Sequence, residues 1–123
     1  MSRHESRLPD YLEHMADALQ RVLDYTVGKS EADFLSDRML QDAVMRNLGV
    51  LGEAANNCFK VSPNVAVRFP NVPFAKVYGL RNQLTHGYTT VDMATVWNIV
   101  ENDVPELRIE IVLALDSLQN PPE

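Results

Sequence analysis

Apolar residues recur at three- and four-residue steps along most of the chain, and the breaks in that rhythm mark where helices stop. Leu12, Met15, Leu19, Val22 and Thr26 make one such stripe in "LPDYLEHMADALQRVLDYTVG", the spacing of a helix with one buried face. Pro9 suits its first turn and Gly28 its terminus. "SEADF" reads as a short helical turn, with Ser30 as cap and Asp33 near the exposed amides. A second long stripe runs through "DRMLQDAVMRNLGVLGEAANNCF", carried by Leu40, Val44, Leu48, Leu51, Ala55 and Cys58 or Phe59. Its small residues Gly49, Gly52, Ala54 and Ala55 let another helix come close.

The rhythm then stops. "KVSPNVAVRFPNVP" holds three prolines and two asparagines and reads as a loop. "VPFAKVYGLRNQLTH" predicts a shorter helix starting near Pro73. The last helical stretch is "VDMATVWNIVENDVPELRIEIVLALDSL". Asp92 is its expected cap, and Val96, Ile99 and Val100 follow at helical spacing. Pro105 either kinks one long helix or starts a second after Asn102 and Asp103. No stretch alternates well enough for a sheet. The expected fold is all-α, a single domain over residues 1–123, built as an antiparallel bundle of four or five helices with short connections.

Composition sharpens this. In 123 residues, 46% are hydrophobic and 23% charged, enough for a core although small enough for dimerisation to add stability. The one cysteine, Cys58, has no disulfide partner in the chain and reads as a small buried residue rather than a nucleophile. No charged-then-apolar leader opens the chain and no apolar run is long enough to span a bilayer. A reducing cytoplasm is the expected setting.

The net charge of −6 argues against indiscriminate binding to nucleic acid. Its distribution changes that picture. Between Ala54 and Val91 there is no Asp or Glu, while Lys60, Arg68, Lys76 and Arg81 lie there, so this stretch carries +4 and the rest −10. A compact anion site on an acidic body fits that pattern.

"GLRNQLTHGYTTVD", from Gly79 to Asp92, concentrates the candidate chemistry in that stretch. Arginine keeps its charge and donates in a fork matched to phosphate oxygens. Histidine titrates near neutrality and can take or give a proton. Together they suit RNA cleavage by attack of a 2′-hydroxyl on the adjacent phosphorus. Asn82 could hold a phosphate or orient the imidazole of His86. Tyr88 could donate a hydrogen bond, stack on a base or be modified. One histidine cannot easily be acid and base in a single step, so two copies across a two-fold axis are attractive. Five residues of helix put Arg81 and His86 about 140° apart around the axis, and they share a face only if the helix ends between them or the next segment folds back. Read from spacing alone, Arg81 could equally be a surface ion-pair partner, His86 a helix C-cap and Tyr88 a half-buried anchor.

Other groups carry less. His4 and His14 join no Cys/His ligand set, so no metal site is expected. Glu13 with Asp17, and Glu106 with Glu110, read as solvated helix faces. Trp97 reads as core or dimer surface. Lys76, Arg68 and Lys60 could guide RNA or be ordinary surface charge.

R-x4-H-x-Y, as Arg81, His86 and Tyr88 in "GLRNQLTHGY", resembles the signature of the HEPN superfamily. The order and spacing of "LEHMADALQRVLDYT", "DRMLQDAVMRNLGVLGEAAN" and "FPNVPFAKVYGLRNQLTHGYTTVDMATVWNIVENDVPEL" are similar to those of its HepT-like group, from about Leu8 to Leu118. The resemblance implies a HEPN-type bundle that dimerises with its motifs face to face. It implies a metal-independent endoribonuclease without cofactor, acting on tRNA or mRNA as the toxin of a prokaryotic type VII-like toxin–antitoxin pair. It implies an MNT-type nucleotidyltransferase antitoxin as partner, which neutralises the toxin by transferring AMP to Tyr88. Arg81 and His86 would then be the catalytic pair and Asn82 the supporting polar residue. Many members carry a second basic residue where this chain has Gln83, which here joins Lys76 and Arg68 as a candidate RNA contact. A catalytically silent helical module that binds nucleotide or protein is the alternative.

Overall fold

The computed structural model describes residues 5–86 and 91–120, and every element among them is helical. Helix α1 (Leu8–Thr26) follows a 3-10 turn at Glu5–Arg7, with Pro9 in its first turn. Leu12, Met15, Leu19 and Val22 are fully enclosed, as their spacing predicts. The helix closes with the Thr26 hydroxyl donating to the Val22 carbonyl at 2.7 Å. Gly28 then turns the chain at φ 74°, a left-handed conformation that a Cβ would strain.

Helix α2 (Glu31–Ser36) starts on a reciprocal cap. The Asp33 amide donates to the Ser30 hydroxyl at 3.1 Å, and the Ser30 amide donates to the Asp33 carboxylate at 2.9 Å. That backbone donor, followed by the Ser30 hydroxyl, holds the Asp33 carboxyl below its ordinary range. Helix α2 exists to deliver Phe34, which is buried with its ring 5.3 Å from that of Trp97.

Helix α3 (Arg38–Val61) is capped by Asp37, whose carboxylate accepts from the Leu40 amide at 3.1 Å. It runs two residues beyond the expected end. The proline-rich segment after it is not wholly loop. It contains one helical turn, α4 (Val65–Arg68), anchored by Val65, which is fully buried. The prolines flank this turn rather than interrupt it, so nothing in it loses a needed N–H.

Helix α5 (Phe74–His86) starts one residue past Pro73. Helix α6 (Met93–Asn98) is capped by Asp92, which accepts from the Ala94 amide at 3.0 Å. Residues Ile99–Asp103 form a π-helical turn leading straight into α7 (Val104–Gln119). This resolves the two readings of Pro105. The chain stays helical, Pro105 sits in the first turn of α7, and the Val104 amide reaches back to the Ile99 carbonyl. The wider turn accommodates a ring that a regular α-turn would reject.

The four longer helices pack in the spatial order α5, α3, α1, α7, and α2 bridges α3 and α6. Helices α3 and α5 run antiparallel, since Phe59 meets Phe74 at a ring separation of 5.9 Å while Gly52 meets Arg81. The outer helices α5 and α7 leave a cleft of about 600 Å³ between them, floored by Leu48 and Leu51 of α3. No helix among the described residues is long and apolar enough to cross a membrane.

Candidate functional site

Helix α5 owes its position to what faces it. Phe74 and Val77 bury their side chains, and one further turn along the same side comes Arg81. An arginine fits on that inner side because its neighbour across the interface is Gly52. A Cβ on Gly52 would collide with the Cβ of Arg81 and lie 3.1 Å from its Cα and its amide nitrogen. The absent side chain lets the two backbones close up, and Arg81 is seated against α3 from its root.

The next residue of α3 meets the other end of that side chain. The Arg81 Nε lies 2.8 Å from the Glu53 Oε2, and Arg81 Nη1 lies 3.5 Å from the Asn82 Oδ1. The two ion-pair partners remain 34% and 47% exposed, so solvent and ligands still reach them. An ion pair this open adds little stability, and its effect is orientation. The contacts with Glu53 and Asn82 leave further N–H donors of the guanidinium that a phosphate can use.

The ion-pair reading of Arg81 is therefore real, and it coexists with partial exposure of the side chain. Glu53 was not singled out by the sequence. The signal for it was weak: it is the last acidic residue before the acid-free stretch and directly follows a glycine. Linking it to Arg81 requires the α3–α5 register.

Helix α5 continues through His86, so it does not end between Arg81 and His86, and the helical separation of about 140° applies to the backbone. The His86 ring, Thr85 and all of Tyr88 and Gly87 lie outside the described side chains. Asn82 stands exposed beside Arg81. The three candidate RNA contacts do not gather there. Lys76 opens into the cleft with Pro73 and Leu80. Gln83 lines a smaller hollow with Leu84, Val91 and Thr95. Arg68 donates to the Ser62 hydroxyl at 3.1 Å and covers the Phe69 ring at 5.5 Å. Lys60 is exposed in the last turn of α3.

The remaining candidates fall into structural roles. Cys58 is enclosed 4.0 Å from the Met15 sulfur, and burial pushes its thiol up to about 12. Trp97 is buried against Phe34. Glu13 and Asp17 are exposed on α1, whereas Glu106 and Glu110 rim the α5–α7 cleft. His14 stacks edge-on to Tyr11 at 6.0 Å. Among the described residues no three metal-capable side chains converge.

The family model described as ribonuclease HepT-like matches residues 15–113. The probable ribonuclease HepT of Thermococcus cleftensis is 36% identical over 100 residues, covering 80% of this chain and 87% of that one. A protein of Methanocaldococcus jannaschii provisionally named an RNase is 34% identical over 104 residues, covering 82% of this chain and 90% of its own. A second protein of that organism, named a gamma-glutamylcyclotransferase and provisionally an RNase, is 31% identical over 108 residues. That match takes in 88% of this chain but only 47% of the relative, so this chain spans about half of that protein. No solved structure matches.

Proposed function

The chain belongs to the HepT-like ribonuclease family, and on that premise we propose that it is an endoribonuclease that cleaves RNA at Arg81 and His86 without a metal ion. The observation that carries this reading is the guanidinium of Arg81, anchored at Nε by Glu53 and still 34% exposed. In the reaction, a base removes the proton of an RNA 2′-hydroxyl and the oxygen attacks the neighbouring phosphorus. The bond to the 5′-oxygen breaks, that oxygen is protonated, and a 2′,3′-cyclic phosphate is left. His86 of one protomer serves as base and His86 of its partner as acid, so that one imidazole does not have to do both. Arg81 stabilises the charge gathering on the non-bridging oxygens. Asn82 supports the phosphate beside it.

The protein acts as the toxin of a toxin–antitoxin pair with an MNT-type nucleotidyltransferase. AMP on Tyr88 would bring a phosphate and a base to the place where RNA sits and compete for Arg81. Inhibition would follow from occupancy, and a Tyr88-modified protein melting far below the unmodified one would contradict that.

The deciding experiment incubates wild type and His86→Ala with total RNA in EDTA and sequences the fragment ends. Cleavage by wild type alone, leaving cyclic phosphate termini, is the expected result. No cleavage by a folded wild type with Tyr88 shown unmodified by mass spectrometry would favour the silent binding module.

A further inference from the structure

We propose that Glu53 is a positioning residue for the RNA-cleaving site: it holds the Nε side of Arg81 so that the remaining N–H donors are turned to the scissile phosphate. This rests on the ribonuclease reading of Arg81, and it adds a residue from a different helix that the R-x4-H-x-Y motif does not contain.

Three observations converge on it. First, the contact is short and specific in its atoms, with Nε of Arg81 2.8 Å from Oε2 of Glu53. A guanidinium has five N–H donors in a fixed plane. Using Nε–H for Glu53 leaves Nη hydrogens that can meet phosphate oxygens in a fork. Second, the two ends of Arg81 are fixed by consecutive residues of α3. Gly52 admits its backbone, with 3.1 Å between a Cβ placed there and the Arg81 Cα, and Glu53 catches its side chain. Because both act from one rigid helix, the guanidinium is placed relative to α3 rather than left to swing from α5. Third, the pair is open, at 34% and 47% exposure. A stabilising core ion pair would be enclosed; this one leaves the Arg81 side chain one-third exposed.

The charge of Glu53 works against RNA. It sits one residue before a stretch of sequence with no Asp or Glu, and a carboxylate beside a phosphate site weakens attraction. Its use there is geometric. A long, rotamer-rich side chain is held in one orientation before substrate arrives, and small misplacements at a reacting centre cost much of the rate. An amide in the same place keeps the acceptor oxygen and drops the charge, so substitution separates orientation from electrostatics.

The test compares wild type, Glu53→Ala and Glu53→Gln in single-turnover cleavage of one RNA in EDTA, with Tm measured for each. Positioning predicts that Glu53→Ala loses about tenfold or more in kcat with KM unchanged or lower. Glu53→Gln should recover to within about threefold of wild type, because Oε1 still accepts from Nε. Equal losses in both variants, or faster cleavage in both, would overturn the proposal, since charge and not orientation would then be the controlling property. A second arm needs no cleavage. The Arg81 Nε–H resonance should be protected from solvent exchange in wild type and Glu53→Gln and lose that protection in Glu53→Ala. Equal exchange in all three would sink the proposal. A wild type that cleaves no RNA would remove the ribonuclease reading instead, and the exchange arm would still decide whether Glu53 holds Arg81.

Discussion

Two glycines on one helix behave oppositely. Gly49 and Gly52 both lie inside α3, where alanine is favoured over glycine by up to about 1 kcal/mol. Nothing lies within 4 Å of a Cβ added at Gly49, whereas one at Gly52 meets the Cβ and backbone of Arg81. Gly49→Ala should therefore hold or raise Tm. Gly52→Ala should lower it, because overpacking costs about 1–3 kcal/mol against a smaller propensity gain, and should also impair cleavage by pushing Arg81 outward. Parallel thermal melts and cleavage assays check both. Arg81→Ala should cut kcat by about 10²–10³ with Tm nearly unchanged, because the exposed ion pair contributes little. A collapsed Arg81→Ala would make the arginine structural. Cys58 gives a titration test. Burial raises its thiol from 9.0 to about 12. The stability tied to that shift is complete below the ordinary value and is lost as pH rises from about 9 toward about 12. At pH 8 iodoacetamide should leave Cys58 unmodified in the folded protein and label it in denaturant, read by mass spectrometry.

Helix starts carry the next set of consequences. Ser30, Asp37 and Asp92 each accept from an amide of the helix they begin, and a lost cap costs about 1 kcal/mol. At Asp33 the sign with pH is fixed by the direction of its shift. A carboxyl held below 3.8 in the folded chain stabilises α2 above that value, and the contribution is lost as pH falls through the lowered folded value. Asp33→Asn should therefore melt below wild type at pH 7, and the gap should close in acid below about 3.8. A gap that persists at pH 2 would mean the cap works without the charge. The same scale explains the two places where segment reading needed tertiary help. Val65 organises a helical turn among prolines because the core receives it. Pro105 is absorbed because Ile99–Asp103 widens into a π-turn, with Val100 still directed into the core.

For the molecule as a whole, charge sets how RNA can bind. Four cations, Lys60, Arg68, Lys76 and Arg81, stand on a body of net charge −6, and they are dispersed over the end of α3, α4 and two sides of α5. Single-stranded nucleic acid releases about 0.7 counterion per neutralised phosphate. The dependence of log affinity on log salt should then have a slope no steeper than about −3 per protomer. Filter binding of a cleavage-dead His86→Ala protein across salt concentrations measures it. A slope near twice that value would show two protomers on one RNA, as the paired-motif mechanism requires. Lys76→Ala should weaken binding evenly across sequences, whereas Arg81→Ala should act mainly on turnover.

The longer helices, the caps at Ser30 and Asp92 and the apolar faces of α1 and α3 followed from the sequence because they depend on residues within one or two turns of each other; the Asp37 cap and the turn at Val65–Arg68 did not. The family resemblance likewise rested on local order and spacing, and the match over residues 15–113 bears it out. The partner of Arg81 did not follow. Glu53 is distant along the chain, and only the antiparallel register of α3 and α5, closed at Gly52, brings its carboxylate to 2.8 Å. The separation of Arg68 on α4 from Lys76 and Gln83 on α5 was equally a matter of how the elements pack. Short-range periodicity fixes which faces are apolar; which face meets which is decided by the packing that buries them together.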